Sequence, residues 1–155
     1  MPPGAKPGRG TGAVDATLEA AARERLRDAG LRVTRPRMAV AAALDALGGH
    51  RTADEIHAYL VGGAVADGLP RTSVYNALAA LCAAGVAMPA DVGPGAAAFE
   101  LATHWHHHFV CRDCGAVQDV ECIIGAKPCL TPVGEFGSVD EAQVIFRGLC
   151  LDCTR

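Results

Sequence analysis

Two C-x-x-C knuckles, Cys111-Arg112-Asp113-Cys114 and Cys150-Leu151-Asp152-Cys153, constrain this chain more than any other feature of it. Each knuckle lets two thiolates chelate one ion from a tight turn, and two knuckles complete a tetrahedral four-thiolate shell suited to zinc. The competing assignment is a thioredoxin-like redox pair. That motif belongs at a helix start after a strand, whereas the flanks here read as strands.

The wider composition agrees with metal ligation. No apolar run approaches the roughly 18 residues needed to span a bilayer, and the N-terminal MPPGAKPGRGTG lacks the apolar stretch of a signal peptide. The chain is therefore expected in the cytoplasm and away from membranes. In that reducing compartment an odd count of seven cysteines does not suit a disulfide framework. At 155 residues the chain holds one ordinary domain or two small ones, for which metal or oligomerisation supplies extra stabilisation. Hydrophobic residues make up 50%, many of them alanine, and aromatics only 5%, which suits small packed helices.

A second constellation comprises Glu100, His104, His106, His107 and His108, followed by Asp119. If HHFVC is extended, the two-residue period places His106 and His108 on one face, with His104 a candidate to join them and His107 opposite. Imidazoles plus carboxylates make a mixed N/O site that accepts ferrous iron, manganese, zinc or nickel. A lone histidine here would read as structural; four within His104–His108 shift the reading to metal.

Upstream, residues 1–13 are rich in Pro and Gly and read as a disordered arm. Asp15 can cap a helix carrying Leu18, Ala22 and Leu26 and closing at Gly30. Thr34 precedes Pro36 at the start of a second helix, which runs to Gly48-Gly49. Thr52 and Glu55 make a capping-box pair for a third helix ending near Gly62-Gly63. A fourth starts at Thr72 or Ser73, turns Val74, Leu78 and Leu81 inward, and stops at Gly85. Two short extended pieces then flank the turn signal Asp91-Val92-Gly93-Pro94-Gly95. Short helices followed by a hairpin outline a winged helix-turn-helix over residues 14–100, leaving 101–155 as a metal-binding domain.

In such a reader the N-terminal end of the recognition helix meets the bases. Here that end supplies Arg71, Thr72, Ser73, Tyr75 and Asn76, with Arg35 and Arg37 as further cations. Arg can fork to guanine, Asn to adenine, and Thr, Ser and Tyr can hold phosphate. An ordinary capped surface helix is the alternative on this segment alone. Charge is split in the matching sense: up to Ala84 ten Lys/Arg face eight Asp/Glu, or +2, and from Gly85 onward four face nine, or −5.

These strings together, LRVTRPRMAV, HRTADEIHAYL, RTSVYNALAAL, FEL, HHHFVCRDCG with Asp119, and the closing CLDC, resemble the ferric uptake regulator family from about Leu31 onward. VECIIGAKPCLTP is most similar to the actinobacterial branch that controls catalase genes in response to peroxide. The resemblance implies an α+β fold, a winged helix-turn-helix followed by a small α/β dimerisation domain with zinc knuckles. It implies structural zinc on Cys111, Cys114, Cys150 and Cys153, and a regulatory Fe(II) or Mn(II), with Ni(II) or Zn(II) as alternatives, on His50, Glu100, His106, His108 and Asp119. On its own His50 reads as a surface loop residue.

One departure is visible: GAKPCLTPVG, with two Pro and two Gly, breaks the helix that many family members carry between the dimerisation strands. Cys122 precedes this insert and Cys129 lies within it; with His104 and His107, they are candidates for an accessory metal or redox role or for packing. Cys82, on an apolar helix face, reads as core. The expected function is that of a homodimeric repressor on an inverted-repeat, double-stranded DNA operator, released when peroxide oxidises a ligand histidine at bound Fe(II). The alternative is an iron-, nickel- or zinc-responsive repressor of metal-homeostasis genes. A metallohydrolase or thiol redox enzyme is disfavoured because no nucleophile–base pair is legible. A metal-storage or plain zinc module would bind no operator.

Overall fold

The computed structural model describes residues 15–63, 69–90 and 96–155. The expected N-terminal arm and the Asp91–Gly95 turn lie outside them. Two compact units emerge: among the described residues, the first runs to Ala90 and resumes over Ala96–Ala102, and the second covers Thr103–Arg155.

The first unit is built on four helices: α1 (Ala16–Asp28), α2 (Arg35–Leu47), α3 (Ala53–Gly62) and α4 (Arg71–Ala83). Asp15 caps α1 by accepting the Thr17 N–H at 3.2 Å. Its end is a left-handed glycine: Gly30, at φ 68°, donates to Arg27, and Leu31 donates back to Leu26 at 2.8 Å. Helix α4 closes the same way, Gly85 at φ 70° letting Val86 donate to Leu81 at 2.9 Å. Pro36 occupies the first turn of α2, while Thr34 makes no side-chain cap bond. Thr52 and Glu55 form the reciprocal capping box of α3, with the Glu55 N–H on Thr52 Oγ1 at 3.2 Å and the Thr52 N–H on Glu55 Oε2 at 2.7 Å. Helix α4 begins at Arg71, one residue before the expected start, because Pro70 takes the cap position.

Helix α2 is the centre of this unit, since Ala39 through Leu44 are all buried. Its alanines let neighbouring backbones approach closely. Leu26, Ile56, Leu60, Val74, Leu78 and Leu81 pack around it. Cys82 is half-buried at the edge of that core. Against the helices lies an antiparallel sheet in the order β1 (Arg51–Thr52), β3 (Ala98–Leu101), β2 (Ala87–Ala90). Ala87 pairs with Leu101 and Ala90 with Ala98, the hairpin expected of a wing. Pro89 is tolerated because β2 is an edge strand.

The second unit is a three-stranded mixed sheet in the order β5 (Val117–Glu121), β4 (His106–Cys111), β6 (Ile145–Gly148). Strand β4 pairs antiparallel with β5, which sets His108 opposite Asp119. It pairs parallel with β6, Cys111 opposite Gly148, so the second knuckle follows directly beside the first. Its described residues contain no helix, in keeping with the Pro and Gly content of GAKPCLTPVG. They also bury no aliphatic side chain: the buried residues are His106, His107, His108, Cys111 and Cys150.

Because Leu81 is fully buried against α2, Leu81→Ala should cost about 2–5 kcal/mol of stability in the first unit through lost transfer and a residual cavity. Thr52→Ala should cost about 1 kcal/mol through loss of the cap. Urea unfolding followed by helical circular dichroism measures both; equal midpoints for wild type and Leu81→Ala would refute the packing described.

Candidate metal centres and nucleic-acid interface

The four knuckle cysteines converge, with all four sulfurs within 4.8 Å of one another. Cys114 and Cys150 Sγ stand 3.7 Å apart, where two sulfurs sharing a tetrahedral zinc at about 2.3 Å would be about 3.8 Å apart. Cys111 closes β4 and is buried, and the Cys150 N–H donates to its sulfur at 3.3 Å. Backbone N–H groups of Cys114 and Cys150 bring the Cys111 thiol down to about 6. Asp113 and then Cys150 push Cys153 the other way, well above the ordinary thiol range. One thiolate thus forms readily while Cys114 and Cys153 resist ionising beside it, a conflict that a divalent cation resolves. The donor set fits zinc.

The mixed-donor residues fall into two groups, one in each unit. In the first, His50, just before β1, presents Nε2 to Glu100 Oε2 of β3 at 3.4 Å, with both side chains largely buried. The carboxylate is brought there by β1–β3 pairing, in which Arg51 lies opposite Phe99. In the second, His106 and His108 sit two residues apart on β4, both buried, and His106 Nε2 faces Asp119 Oδ1 at 3.7 Å. His107 points to the opposite face, as the strand period requires.

Ring protonation in the second group is decided by the backbone. His106 Nδ1 lies 3.1 Å from the His104 carbonyl oxygen, which can only accept, so the proton sits on Nδ1. In the neutral ring, Nε2 then carries a lone pair directed at the Asp119 carboxylate. Lone pair and carboxylate repel unless a proton or a cation lies between them, and this arrangement is how second-shell carbonyls prepare metal-binding imidazoles. His108 Nδ1 has the Gln143 side-chain amide at 3.4 Å. Neither the His104 carbonyl nor Gln143 carries a local sequence signal, because their roles depend on β4 geometry and on the β4–β6 pairing. The His104 side chain itself is exposed, within reach of Thr103, and belongs to none of the donor clusters among the described residues.

The recognition-helix candidates occupy one surface. Arg71, Thr72, Tyr75 and Asn76 are exposed along α4 while Val74, Ala77 and Leu78 face the core. Thr34, Pro36 and Arg37 of the α2 start and Ser73, Asn76 and Ala77 of α4 line a common groove. Arg35 is exposed at the same end of α2. Arg37 donates to the Arg32 carbonyl at 3.0 Å. Arg71 is held by Asp54 of α3, its Nε donating at 3.0 Å. That partner was not legible in sequence, because α3 and α4 meet only through the fold.

A helical reader with a β wing, joined in one chain to a sheet bearing thiolate and imidazole clusters, defines a class of metal-binding, DNA-binding transcriptional regulator. The ferric uptake regulator family model matches residues 28–125, and the chain belongs to that family, whose members are transcription regulators and not enzymes. It is 45% identical over 136 residues to the transcriptional regulator FurA of Mycobacterium tuberculosis, covering 84% of this chain and 88% of that protein. It is 31% identical to the peroxide-responsive repressor PerR of Staphylococcus saprophyticus, covering 83% and 86%. Among solved structures, the ferric uptake regulator of Pseudomonas aeruginosa with manganese superimposes with a TM-score of 0.64 at 27% identity, covering 84% of this chain and 98% of that one. No described helix is long and apolar enough to cross a membrane.

Loss of the knuckle ion should be felt through the whole second unit, where binding free energy is folding free energy. Cys111→Ser or Cys153→Ser should each release about one zinc per chain and unfold that unit while the helices persist. Elemental analysis with thermal melting checks this; full zinc content and an unchanged melt in both variants would refute the four-cysteine centre.

Proposed function

We propose that this chain is a homodimeric repressor whose DNA binding requires a regulatory cation on His50, Glu100, His106, His108 and Asp119, and that it senses peroxide to control oxidative-stress (catalase) genes. The observation that carries the reading is the His106 ring, whose Nδ1 lies against the His104 carbonyl while its Nε2 faces Asp119. The His50–Glu100 pair in the reader-bearing unit supplies the complementary donors. A cation held by all five would draw ligands from both units and so restrict the reader's freedom. The family resemblance supports the same five positions, and the names of two relatives, FurA and peroxide-responsive PerR, support transcriptional control and peroxide in turn.

Fe(II), when bound, reduces peroxide beside its ligands; Mn(II) does so poorly. The Asp119 side chain is 50% exposed, so a small oxidant reaches this side of the cluster. At the ligand ring the balance is simple: the peroxide O–O bond breaks, one oxygen inserts into an imidazole C–H bond to give C–OH, and the other leaves as water. His50 or His106 so oxidised is a poorer ligand. For the second subunit, the insert offers apolar surface, Ile123, Val133 and Phe136 being exposed, which supports self-association of this half. The operator is then an inverted repeat, because a two-fold dimer presents two identical readers. The groove shared by the α2 and α4 starts would receive each half-site.

Arg71→Ala should cost about 1–3 kcal/mol of operator binding and relax specificity at one position, provided the guanidinium leaves Asp54 for a guanine. Tyr75→Phe should weaken all sequences alike if its hydroxyl holds phosphate. Arg71→Ala binding operator and random DNA as wild type does would show that α4 is not the reader.

His50→Ala should fold, dimerise and keep its structural zinc while losing at least about tenfold of metal-dependent operator affinity, since a cation with equal affinity for both arrangements shifts nothing. Anaerobic operator titrations with Fe(II), Mn(II), Zn(II) and Ni(II) measure this. After brief peroxide exposure, only the iron form should release DNA and show a one-oxygen gain on the peptide bearing His50 or His106. Indifference to peroxide with retained metal dependence would move the assignment to a metal-homeostasis repressor.

A further inference from the structure

We propose that His107, Cys122 and Cys129 form a third metal site that takes zinc(II) through one nitrogen and two sulfurs. The three ligand atoms lie within 4.8 Å of one another, and all three residues belong to the second unit. His107 faces away from His106 and His108 and is 7% exposed, so it contributes nothing to their cluster. Cys129 Sγ stands 3.3 Å from His107 Nε2. A nitrogen at about 2.0 Å and a sulfur at about 2.3 Å on one tetrahedral zinc are about 3.5 Å apart.

Local structure explains how Cys122 and Cys129 come together. Gly125, at φ 67°, donates its N–H to the Cys122 carbonyl at 3.1 Å and turns the chain back toward the sheet. Cys129 is then oriented by its thiol, which donates to the Ala142 carbonyl at 3.3 Å, and His107 by the Val144 N–H, which donates to Nδ1 at 3.3 Å. Both contacts are long. With Nδ1 accepting from Val144 the neutral ring carries its proton on Nε2, so loading releases the two thiol protons, moves the ring proton to Nδ1 to free the Nε2 lone pair for the ion, and requires the Val144 N–H to turn away from Nδ1. Packing alone does not account for the pair, because both cysteines are only half-buried and the described residues of this unit bury no aliphatic side chain for them to join.

The donor set decides the ion. Two thiolates and an imidazole favour zinc over ferrous iron or manganese, and three protein donors leave a fourth position open. Zinc here exchanges faster than at the closed four-cysteine centre. The molecule carries its own reporter: Trp105, its one tryptophan, lies edge-on to His107 with ring centroids 6.0 Å apart. Lys127, from the Cys122–Cys129 segment, sits 4.1 Å above the same indole.

Cobalt(II), added anaerobically to the reduced, full-length protein with its four-cysteine centre already filled with zinc, tests the site. Thiolate ligation gives a sulfur-to-cobalt charge-transfer band, to which the His/carboxylate donors of the proposed regulatory site are silent. One equivalent of band should develop together with a change in Trp105 emission, and zinc should erase it. Cys122→Ser with Cys129→Ser should abolish the band, and His107→Ala should weaken cobalt binding at least about tenfold, with melting and structural zinc retained in both. No band in the reduced wild type, or a band that survives the double substitution, overturns the proposal. So does a pair that gives no band and closes to a disulfide on peroxide treatment. None of these outcomes depends on operator binding.

Discussion

Among the described residues of the second unit no aliphatic side chain is buried, and a bound cation would there take the place of a hydrophobic core. Its buried side chains are three histidines and two cysteines, polar or ionisable groups whose burial costs free energy unless each finds a partner. Four thiols packed within 4.8 Å make that cost acute. A divalent ion reverses the sign, since each coordinated thiolate is stabilised and the knuckles become a cross-link between the β4 end and the C-terminal segment. The parallel β4–β6 pairing, which no helix covers among the described residues of this unit, would be held from beyond its end by that cross-link. The first unit has no such need. Its Leu, Ile and Val side chains close around α2, and its termini are capped by Asp15, Thr52, Gly30 and Gly85.

One strand serves both centres and the third cluster as well. The alternation of β4 sends His106 and His108 to one face and His107 to the other, and its last residue, Cys111, begins the zinc knuckle. A one-residue slip in the β4–β5 register would exchange the faces and part His108 from Asp119. A cation on the knuckles would guard against that slip. The four-cysteine cluster and the proposed regulatory histidines are thus coupled through register, and loss of the former would disorder histidines several residues away without touching them.

Much of this was legible in the sequence because it rests on local rules. The capping box at Thr52 and Glu55, the glycine stops, the strand period of HHHFVC and the paired knuckles are all short-range patterns, and each stands where the patterns put it. What escaped was long-range. The Asp54 carboxylate on Arg71, the Gln143 amide on His108 and the His104 carbonyl on His106 are partners that only tertiary pairing or backbone path creates. The convergence of His107 with Cys122 and Cys129 was legible as composition but not as geometry, because it depends on the turn at Gly125.

The division of the proposed regulatory ligands between the units has an energetic consequence. Moving a two-state equilibrium from 1:99 to 99:1 requires about 10⁴-fold preference, or about 5.5 kcal/mol, for one state. Ligands confined to the second unit would bind the cation equally well wherever the reader lay, and would supply none of it. Only His50 and Glu100, which travel with the helices, can make affinity depend on the reader's position. Each is already held toward the other at 3.4 Å with little solvent, so the first unit offers a preformed two-donor bite and little ordering entropy remains to be lost on binding. A bite of two donors is also easily spoiled: on the proposed reading, removing either member would leave the first unit a single donor, so oxidation of the His50 imidazole alone would weaken the cation's hold on the reader without a change in the sheet.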